Sequence, residues 1–471
     1  MDDCGASVSA EVHRLGVAGL AAAFRARELR PVEAVEAFLE RIAALDGEVG
    51  AFITVTAEEA RREARAAERA LARPSGRSRP LLGVPIAVKD LVETRGVRTT
   101  AASAVLADHV PERDATVWRR LRRAGAVLIG KANTHEFAYG GTSEPTRNPW
   151  SLEHMVGGSS GGSAAALAAG MCAAAIGSDS AGSIRIPAGF CGVYGLKPSW
   201  GVVSRTGVIP LAPSFDTVGP LARSPVDLGL LLDAMAGYDR ADEGSARRRW
   251  RGSAVPAVGA ELPGLRVGLL SDVEPMSAGV RAALRSAAAA LEAAGAIVVE
   301  TSIGDLDRAT ELCFEIMAVE AADFHERWLG ERPDDYSPYV RERIGAGLEI
   351  SGVAYRRALA AARAVAARCD EVLSRHDVLL GPGMPCPAPV AYVETMQIGG
   401  RTYGRDYLIC RNTAFANVAG IPALAVPGGL EDGLPVGVQV FGPMLGDPLV
   451  LRVGEVLHRR LGWCGAPADL G

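Results

Sequence analysis

The chain has 471 residues, of which 48% are hydrophobic and 22% are charged, and its formal net charge at pH 7 is −5. This composition is typical of a folded enzyme and argues against a disordered chain. No cluster of Lys and Arg is interleaved with aromatic residues, so we do not expect nucleic acid as a partner.

The spacing of the cysteines and the length of the apolar runs indicate whether to expect a metal site, a membrane span or a secreted protein. The eight cysteines form no C-x-x-C pair, so we expect no metal site and no cofactor. The apolar run 164–177 is too short to span a bilayer, and the stretch 15–24 lacks the basic flank of a signal peptide. Scattered cysteines also fit a reducing compartment, so the expected location is cytoplasmic.

The predicted elements alternate between helices and short apolar strands. In the N-terminal part, the sequence predicts helices over 31–45, 57–71 and 115–124, and strands over 83–88 and 126–129. Buried strands that alternate with helices are typical of an α/β fold.

The segment 141–220 departs from this rhythm because it is dense in Gly, Ser and Pro. It nevertheless contains an Ala-rich stretch, Ser163–Ala175, that predicts a buried helix. A linker would not hold such a helix, so we expect a site built from backbone here. After Pro220, strands are predicted over 265–270, 297–300, 378–380, 424–426 and 436–441, and helices over 278–294 and within 308–375.

Lys89 ends the predicted strand Gly83–Val88 and is followed by Asp90. Burial disfavours the ammonium form, so a lysine in this position can lose its proton and act as a general base. Taken alone, a lysine paired with Asp90 at the strand end is the simpler interpretation.

Two Gly- and Ser-rich segments follow. Gly157–Ser163 reads Gly-Gly-Ser-Ser-Gly-Gly-Ser, and its glycines allow close approach to the main chain. Gly177–Pro187 contains small residues before Ser183, which allow consecutive N–H groups to converge near the hydroxyl. Each segment alone is also compatible with an ordinary loop, and the spacing of a Walker phosphate loop is absent.

Together these features indicate acyl transfer by a serine. A serine hydroxyl is a poor nucleophile until a base removes its proton, and lysine takes that role in some hydrolases. A second serine between the nucleophile and the lysine would relay the proton and return it to the leaving amine.

A series of motifs in chain order strengthens this interpretation. The motifs are Gly83–Asp90, Gly130–Phe137, Asn148–Trp150, Gly157–Ser163, Ser180–Pro187, Cys191–Pro198, Asp216–Pro220, Asn417–Pro422 and Gly433–Gln439. On these motifs the chain resembles the amidase signature family over nearly its whole length. The resemblance implies a single α/β/α domain over 1–471, with a mixed central β-sheet covered by helices on both faces. Within it, 9–72 would be an N-terminal helical arm, 83–220 the catalytic core segment, and 221–471 the remainder with the substrate pocket.

The resemblance also implies a Ser–cis-Ser–Lys triad. Ser183 would be the nucleophile, Ser159 the bridging serine after a cis peptide bond, and Lys89 the base. The N–H groups that would form the oxyanion hole belong to Ser180, Ala181, Gly182 and Ser183. The residues that would support the site are Ser160, Asp179 and Arg185.

Four positions depart from the family pattern. Ala181 stands where Gly is common and Val156 where Pro is usual, and neither change removes a reacting atom. The family's amidotransferase subunits usually carry Gln at the position of Ile186 and an acidic residue at that of Cys410. These two differences favour a free-standing amidase.

The main prediction is therefore an amidase that hydrolyses a C–N bond of a small-molecule carboxamide through a Ser183 acyl-enzyme. The alternative is an amide-forming acyltransferase or amidotransferase that passes the acyl group to an amine. An α/β-hydrolase-type esterase would use Gly157-x-Ser159-x-Gly161 as a nucleophile elbow, and it needs a downstream histidine. The candidate histidines are His325, His376 and His458. A non-catalytic binding module is disfavoured, because the set of Lys and two Ser is intact.

The sequence leaves the substrate open. A small-molecule amide is the expected partner, and the pocket is expected from 134–139 and from the region 310–410. Arg405 or Arg411 could anchor a carboxylate, although a salt-bridged or surface arginine is the simpler interpretation of each. Dimers are common in the family, so a homodimer is compatible with the sequence.

Overall fold

The computed structural model describes residues 12–73, 79–247, 250, 253–465 and 467. Cys4 and the first residues of the predicted N-terminal arm, 9–11, lie outside this range. The α-helices described are α1 (Val17–Ala26), α2 (Pro31–Val49), α3 (Ala57–Leu71), α4 (Thr116–Ala124), α5 (Gly161–Ala168), α6 (Arg185–Cys191), α7 (Pro225–Met235), α8 (Ala278–Ala293), α9 (Leu306–Glu331), α10 (Pro338–Leu348), α11 (Gly352–Leu373), α12 (Arg405–Arg411), α13 (Ala414–Val418) and α14 (Asp447–Leu461).

The strands form one large sheet and two small hairpins. The described strands are β1 (Phe52–Val55), β2 (Pro85–Lys89), β3 (Val127–Ala132), β4 (Arg147–Asn148), β5 (Ser151–Met155), β6 (Ala174–Asp179), β7 (Tyr194–Lys197), β8 (Thr217–Ala222), β9 (Arg266–Leu270), β10 (Ile297–Thr301), β11 (Val378–Pro382), β12 (Thr395–Ile398), β13 (Arg401–Gly404), β14 (Ala423–Glu431) and β15 (Leu434–Phe441). The large sheet has 11 strands in the order β1-β3-β2-β6-β8-β7-β14-β15-β11-β9-β10.

The large sheet is mixed and covered on both faces. Strand β2 runs parallel to β3 and β6, whereas β8 runs antiparallel to β6 and β7. Every residue of β2, β3, β6, β8 and β11 is buried. Since successive side chains of a strand point to opposite faces, burial of every position means that both faces are covered. The predicted α/β fold with a mixed central sheet is confirmed, and the division into arm, core segment and remainder stays a prediction.

One element prediction was wrong in a way that matters for the site. The predicted helix Ser163–Ala175 ends at Ala168, and strand β6 begins at Ala174. A run of small buried residues has no periodicity that separates a helix from a strand. Ser178 and Asp179 are therefore the last residues of a central strand, and the turn to Ser183 follows directly.

No helix among the described residues combines the length and the apolar character needed to cross a bilayer.

Candidate active site

Lys89 is the last residue of β2, which lies between β3 and β6 in the large sheet, and its side chain has no exposed surface. Its Nζ lies 2.7 Å from Ser159 Oγ and 2.9 Å from Ser178 Oγ. Burial lowers the pKa of Lys89 to about 7, against the opposing charges of Asp179 and Asp216. Much of this lysine is therefore neutral near pH 7, and a neutral amine accepts a proton from a hydroxyl within hydrogen-bond distance.

The simpler interpretation of Lys89, a pair with Asp90, is wrong. The Asp90 carboxylate instead pairs with Lys131, at 3.0 Å, and accepts hydrogen bonds from the N–H and the hydroxyl of Thr100. Successive side chains of a strand point to opposite faces, so adjacent residues rarely meet. Lys89 therefore has no direct carboxylate partner among the described residues, and burial dominates its pKa.

Contacts of the main chain at Gly158 and Ser159 fix the position of Ser159. The peptide bond between Gly158 and Ser159 is cis, as the resemblance implies. The Ser159 carbonyl accepts hydrogen bonds from Ser143 Oγ at 2.8 Å and from the His135 N–H at 3.2 Å. A Cβ on Gly158 would lie 2.7 Å from the Thr142 backbone, so only glycine fits this close approach.

Ser160 and Ser183 join the two Gly- and Ser-rich segments. Ser160 Oγ donates to the Ser178 carbonyl at 3.1 Å, and the Ser160 N–H donates to the Ser183 carbonyl at 3.1 Å. Ser183 is 8% exposed, and it lines a narrow cleft. Among the described residues, the two hydroxyls of Ser183 and Ser159 form no direct hydrogen bond. Such contacts often tighten only when substrate binds.

The turn from Asp179 to Ser183 is organised by a carboxylate. Asp179 Oδ1 accepts the Gly182 N–H at 2.7 Å, and Oδ2 accepts the Ile184 N–H at 3.1 Å. Gly182 has φ +131°, and a Cβ there would lie 2.3 Å from Thr413 Oγ1, so the turn requires glycine.

This arrangement corrects one predicted donor of the oxyanion hole. The Gly182 N–H is already donated to Asp179. Within the described chain, the N–H groups of Ser180, Ala181 and Ser183 have no hydrogen-bond acceptor, so these three remain predicted donors. The predicted set of four donors is thereby reduced to three.

Arg185 fixes the Asp179 carboxylate through two hydrogen bonds. Both side chains are fully buried, and Arg185 donates from Nε and one terminal nitrogen to the two carboxylate oxygens, each at 3.0 Å. The remaining donors reach the Thr413 carbonyl, Asn417 Oδ1 and Gln439 Oε1. Burial alone would raise the pKa of Asp179, but the charge and hydrogen bonds of Arg185 outweigh it and hold the pKa at about 2. Asp179 therefore stays ionised and holds the turn at every physiological pH.

The cleft over Ser183 is narrow, about 30 Å³ in volume. The residues that matter most among its lining are Ile186, Phe314, Met317, Arg343, Asp406 and Cys410. The walls are mainly apolar, and one ion pair lies among the lining residues. The predicted pocket regions 134–139 and 310–410 both contribute to this lining.

Two residues of this site, Ser178 and Arg343, were not predicted from the sequence. Ser178 lies in a strand of small residues, so only its place at the end of β6, beside β2, could have indicated it. The two arginines proposed as carboxylate anchors are paired within the protein: Arg405 with Asp406 at 2.8 Å, and Arg411 with Asp307 at 2.7 Å. Arg343 lies 3.5 Å from Asp406, and it donates no hydrogen bond to any described residue.

The histidines required by an α/β-hydrolase are elsewhere. His325 contacts the Tyr336 hydroxyl, His376 the Val372 carbonyl, and His458 the Tyr194 hydroxyl. None of the three contacts Ser159, whose hydroxyl is instead 2.7 Å from Lys89. The α/β-hydrolase alternative is therefore wrong for this site.

The Lys89 pKa predicts the pH dependence of activity. A lysine in the predicted role of base must be neutral to accept a proton, so we expect kcat/KM to fall about tenfold per pH unit below pH 7 and to level off above pH 8. Initial rates with one amide from pH 5 to pH 9 measure this decrease in kcat/KM. A profile that is flat between pH 5 and pH 7 would contradict the role of Lys89.

Comparisons with known proteins bear on this geometry. The family model described as Amidase matches residues 33–451. A relative from Moorella thermoacetica, the A subunit of glutamyl-tRNA(Gln) amidotransferase, is 39% identical over 94% of this chain and 96% of its own. This name agrees better with the predicted alternative, an amidotransferase, than with the hydrolytic main prediction.

Two solved structures are similar throughout. The structure of a vestigial protein complex that reveals the origins of an s-triazine catabolic enzyme has a TM-score of 0.89 and 36% identity, and the match covers 94% of this chain and 98% of that one. The peptide amidase of Stenotrophomonas maltophilia has a TM-score of 0.85 and 32% identity, over 97% of this chain and 99% of its own. With a family model matched over most of its length, the chain belongs to the amidase family.

Proposed function

We propose that this protein cleaves the C–N bond of a small carboxamide through an acyl-enzyme on Ser183, and that water then hydrolyses the acyl-enzyme. The observation that carries the proposal is the buried contact of 2.7 Å between Lys89 Nζ and Ser159 Oγ. A fully buried lysine with a pKa near 7 is suited to general base catalysis rather than to an ion pair.

Acylation begins with the proton path. Neutral Lys89 takes the proton of Ser159, which in turn takes the proton of Ser183 as the Ser183 oxygen attacks the amide carbonyl. The negative charge that develops on the carbonyl oxygen is stabilised by the free N–H groups of Ser180, Ala181 and Ser183. Collapse of the tetrahedral intermediate breaks the C–N bond. Ser159 returns the proton to the leaving nitrogen, because an amide anion is a very poor leaving group.

Deacylation uses the same groups in the same order. Water attacks the ester carbonyl while its proton passes through Ser159 to Lys89. The Ser183 oxygen then leaves and regains a proton, and the carboxylic acid product is released. No net proton is stored on Lys89 across one cycle, so its neutral form is restored.

Arg343 indicates the class of substrate. Its guanidinium lies over the rings of Tyr339 and Tyr139, with its Cζ 4.6 and 5.7 Å from their centroids, and its side chain is 32% exposed. Asp406 forms an ion pair with Arg343 at 3.5 Å, but its hydrogen bonds come from Arg405 and the Tyr339 hydroxyl and not from Arg343. A guanidinium with unused donors at a narrow cleft is suited to a carboxylate of the substrate. The proposed substrate is therefore a small amide that carries a carboxylate.

The Arg343→Met variant tests this class. Its kcat/KM for succinamate should fall by about 10- to 150-fold, the value of a charge-assisted hydrogen bond, with most of the change in KM. Butyramide has nearly the same shape without the charge, so its kcat/KM should change little. Arg341→Met, in the same helix and paired with Asp334, is the matched control. Equal losses for both amides would exclude a carboxylate contact.

The function itself is tested by product analysis. The isolated protein is incubated with primary, N-alkyl, N-aryl and carboxylated amides, and ammonia, amine and carboxylic acid are quantified. Stoichiometric release of amine and acid supports hydrolysis. Release of neither from any amide, together with failure of a serine-directed phosphonate to label Ser183, would overturn the proposal.

A second candidate function is that of an amidotransferase component. Two further relatives that are also named as the A subunit of glutamyl-tRNA(Gln) amidotransferase support it. The one from Anaeromyxobacter is 39% identical over 98% of this chain, and the one from Carboxydothermus is 35% identical over 95%. Against it stand Ile186 and Cys410, which line the cleft at the positions that set such subunits apart. Amide cleavage at full rate by the isolated chain would favour the free-standing enzyme. A strict requirement for partner proteins would favour the amidotransferase.

A further inference from the structure

A second cavity lies beside the cleft, with a volume of about 230 Å³. It is bounded by Ser178, Val208, Asp216 and Asp242, and we call it the second cavity. The cleft over Ser183 measures only about 30 Å³. The larger space at this centre is thus not the one that contains the nucleophile.

The second cavity reaches Ser178, whose hydroxyl contacts the proposed base, Lys89. Ser178 is 6% exposed and lines this cavity, and its Oγ lies 2.9 Å from Lys89 Nζ. Ser159, which contacts Lys89 at 2.7 Å, is the group that returns a proton to the leaving nitrogen. The cavity therefore lies on the side of the centre where the amine half of the reaction is protonated.

The wall between the two spaces is thin. Ala138, Ser180 and Leu211 line both the cleft and the second cavity. Two of these side chains are small, so Leu211 is the only one of the three that is long enough to close a passage. Leu211 is 4% exposed, so joining the two spaces requires this buried side chain to change its rotamer.

The lining of the second cavity indicates a cation with an apolar substituent. Arg205 is engaged by Asp242 at 2.7 Å, which leaves the charges of Asp216 and Glu243 in excess. Asp216 accepts the Ser180 hydroxyl through Oδ1 and the N–H groups of Leu211 and Ala212 through Oδ2, so a bound amine would share oxygens that are already hydrogen-bonded, and the charge of Asp216 lies close to the shared wall. Val208 and other aliphatic residues form the remaining surface. Carboxylates beside an aliphatic wall suit an alkyl- or arylalkylamine, which leaves as the neutral amine, gains a further proton from water to become a cation, and must lose that proton again before it can attack an ester.

We propose that the second cavity binds the amine half of the substrate, a primary amine that carries a small alkyl or arylalkyl group. This inference rests on the proposed function. In the forward direction the C–N bond breaks and the amine leaves into the cavity with a proton from Ser159. In reverse, the amine nitrogen attacks the Ser183 ester, a C–N bond forms as the C–O bond breaks, and the proton of the amine passes through Ser159 to the Ser183 oxygen.

Capture of an acyl-enzyme by amines tests the inference. p-Nitrophenyl acetate acetylates Ser183, and benzylamine or ammonia is added; N-benzylacetamide, acetamide and acetate are then quantified, with Ser183→Ala as the blank. In Val208→Trp, the ratio of benzylamine capture to ammonia capture should fall by about tenfold or more. In Leu211→Ala, which widens the passage, the same ratio should rise. Val258→Trp, at a position that is 74% exposed, should leave the ratio at its wild-type value.

The two possible failures have different signatures. If nitrophenol release, as a burst or as steady turnover, did not exceed the Ser183→Ala blank, Ser183 would not be acylated, and this result would overturn the proposed function together with this inference. Normal nitrophenol release with a benzylamine-to-ammonia ratio that is unchanged in Val208→Trp would overturn the inference alone. Nitrophenol release without any N-benzylacetamide above the blank would do the same. Melting temperatures of all variants show whether a change in the ratio reflects loss of the fold.

Discussion

Replacing Ser183 with alanine is expected to reduce amide turnover by about 1,000-fold or more, because no other group can form the acyl-enzyme. Covalent labelling by a serine-directed phosphonate should disappear in the same variant. The fold should be retained, since the Ser183 carbonyl, rather than its hydroxyl, contacts Ser160. Rates measured at saturating amide, together with intact-protein mass spectrometry, test both expectations.

Ser163→Ala is the matched control for this variant. Like Ser183, Ser163 is a buried serine in a region rich in glycine, but its hydroxyl donates to the Ile176 carbonyl within the core. Removal of the Ser163 hydroxyl should lower the free energy of unfolding and leave phosphonate labelling of Ser183 intact. If Ser183→Ala were still labelled at one serine with the wild-type rate, the nucleophile would have to be sought elsewhere.

Lys89→Met is the second variant with a large expected effect. Loss of the general base should lower kcat by about 100- to 10,000-fold, and the remaining activity should lose its acid limb near pH 7. The same variant should be more stable than the wild type at neutral pH, because a buried lysine opposes folding when it must give up its proton. The expected gain is on the order of a few kcal/mol.

The stability gain should depend on pH in a defined direction. The folded-state pKa of Lys89, about 7, lies below its unfolded value, so the unfolded chain binds more protons between pH 7 and pH 10. Wild-type stability therefore rises with pH through this window, and the advantage of Lys89→Met should shrink as the pH approaches 10. Thermal unfolding of both proteins at pH 7, 8.5 and 10 measures the difference.

Lys197 provides a close control for Lys89. It is also fully buried, and burial together with the charge of Arg185 lowers its pKa to about 7. Its Nζ donates to the Pro198 carbonyl rather than to a serine of the site. Lys197→Met should therefore share the pH-dependent stability change but keep the acid limb of the rate profile. If both variants lost the decrease in rate below pH 7, this decrease would not reflect the protonation of Lys89.

The sequence predicted the local setting of the proposed reacting groups better than the elements that carry them. Lys89 was expected at the end of a buried strand, and it ends β2. Ser183 was expected in a tight turn of small residues, but that turn follows strand β6 rather than the long helix predicted before it. Alanine and glycine fit equally well into a buried helix and a buried strand, so composition alone could not place the boundary.

Contacts between distant segments were beyond single-sequence reasoning. Arg343 reaches the cleft from a helix more than a hundred residues after Ser183, and no local pattern marks it among the many surface arginines. The Gly182 N–H was predicted as an oxyanion donor, and only the folded chain shows that Asp179 already holds it. The second cavity is likewise built from separate segments around Ser178, Val208 and Asp242.

The way in which Arg185 is held has a consequence for biosynthesis. The proposed triad is complete by residue 183, but Arg185 contacts Thr413, Asn417 and Gln439 near the other end of the chain. A nascent polypeptide therefore carries all of the reacting side chains long before the ribosome has made the residues that lock them in place. Hydrolytic activity should appear only when translation is nearly finished, and a truncated product that stops before Thr413 should be inert.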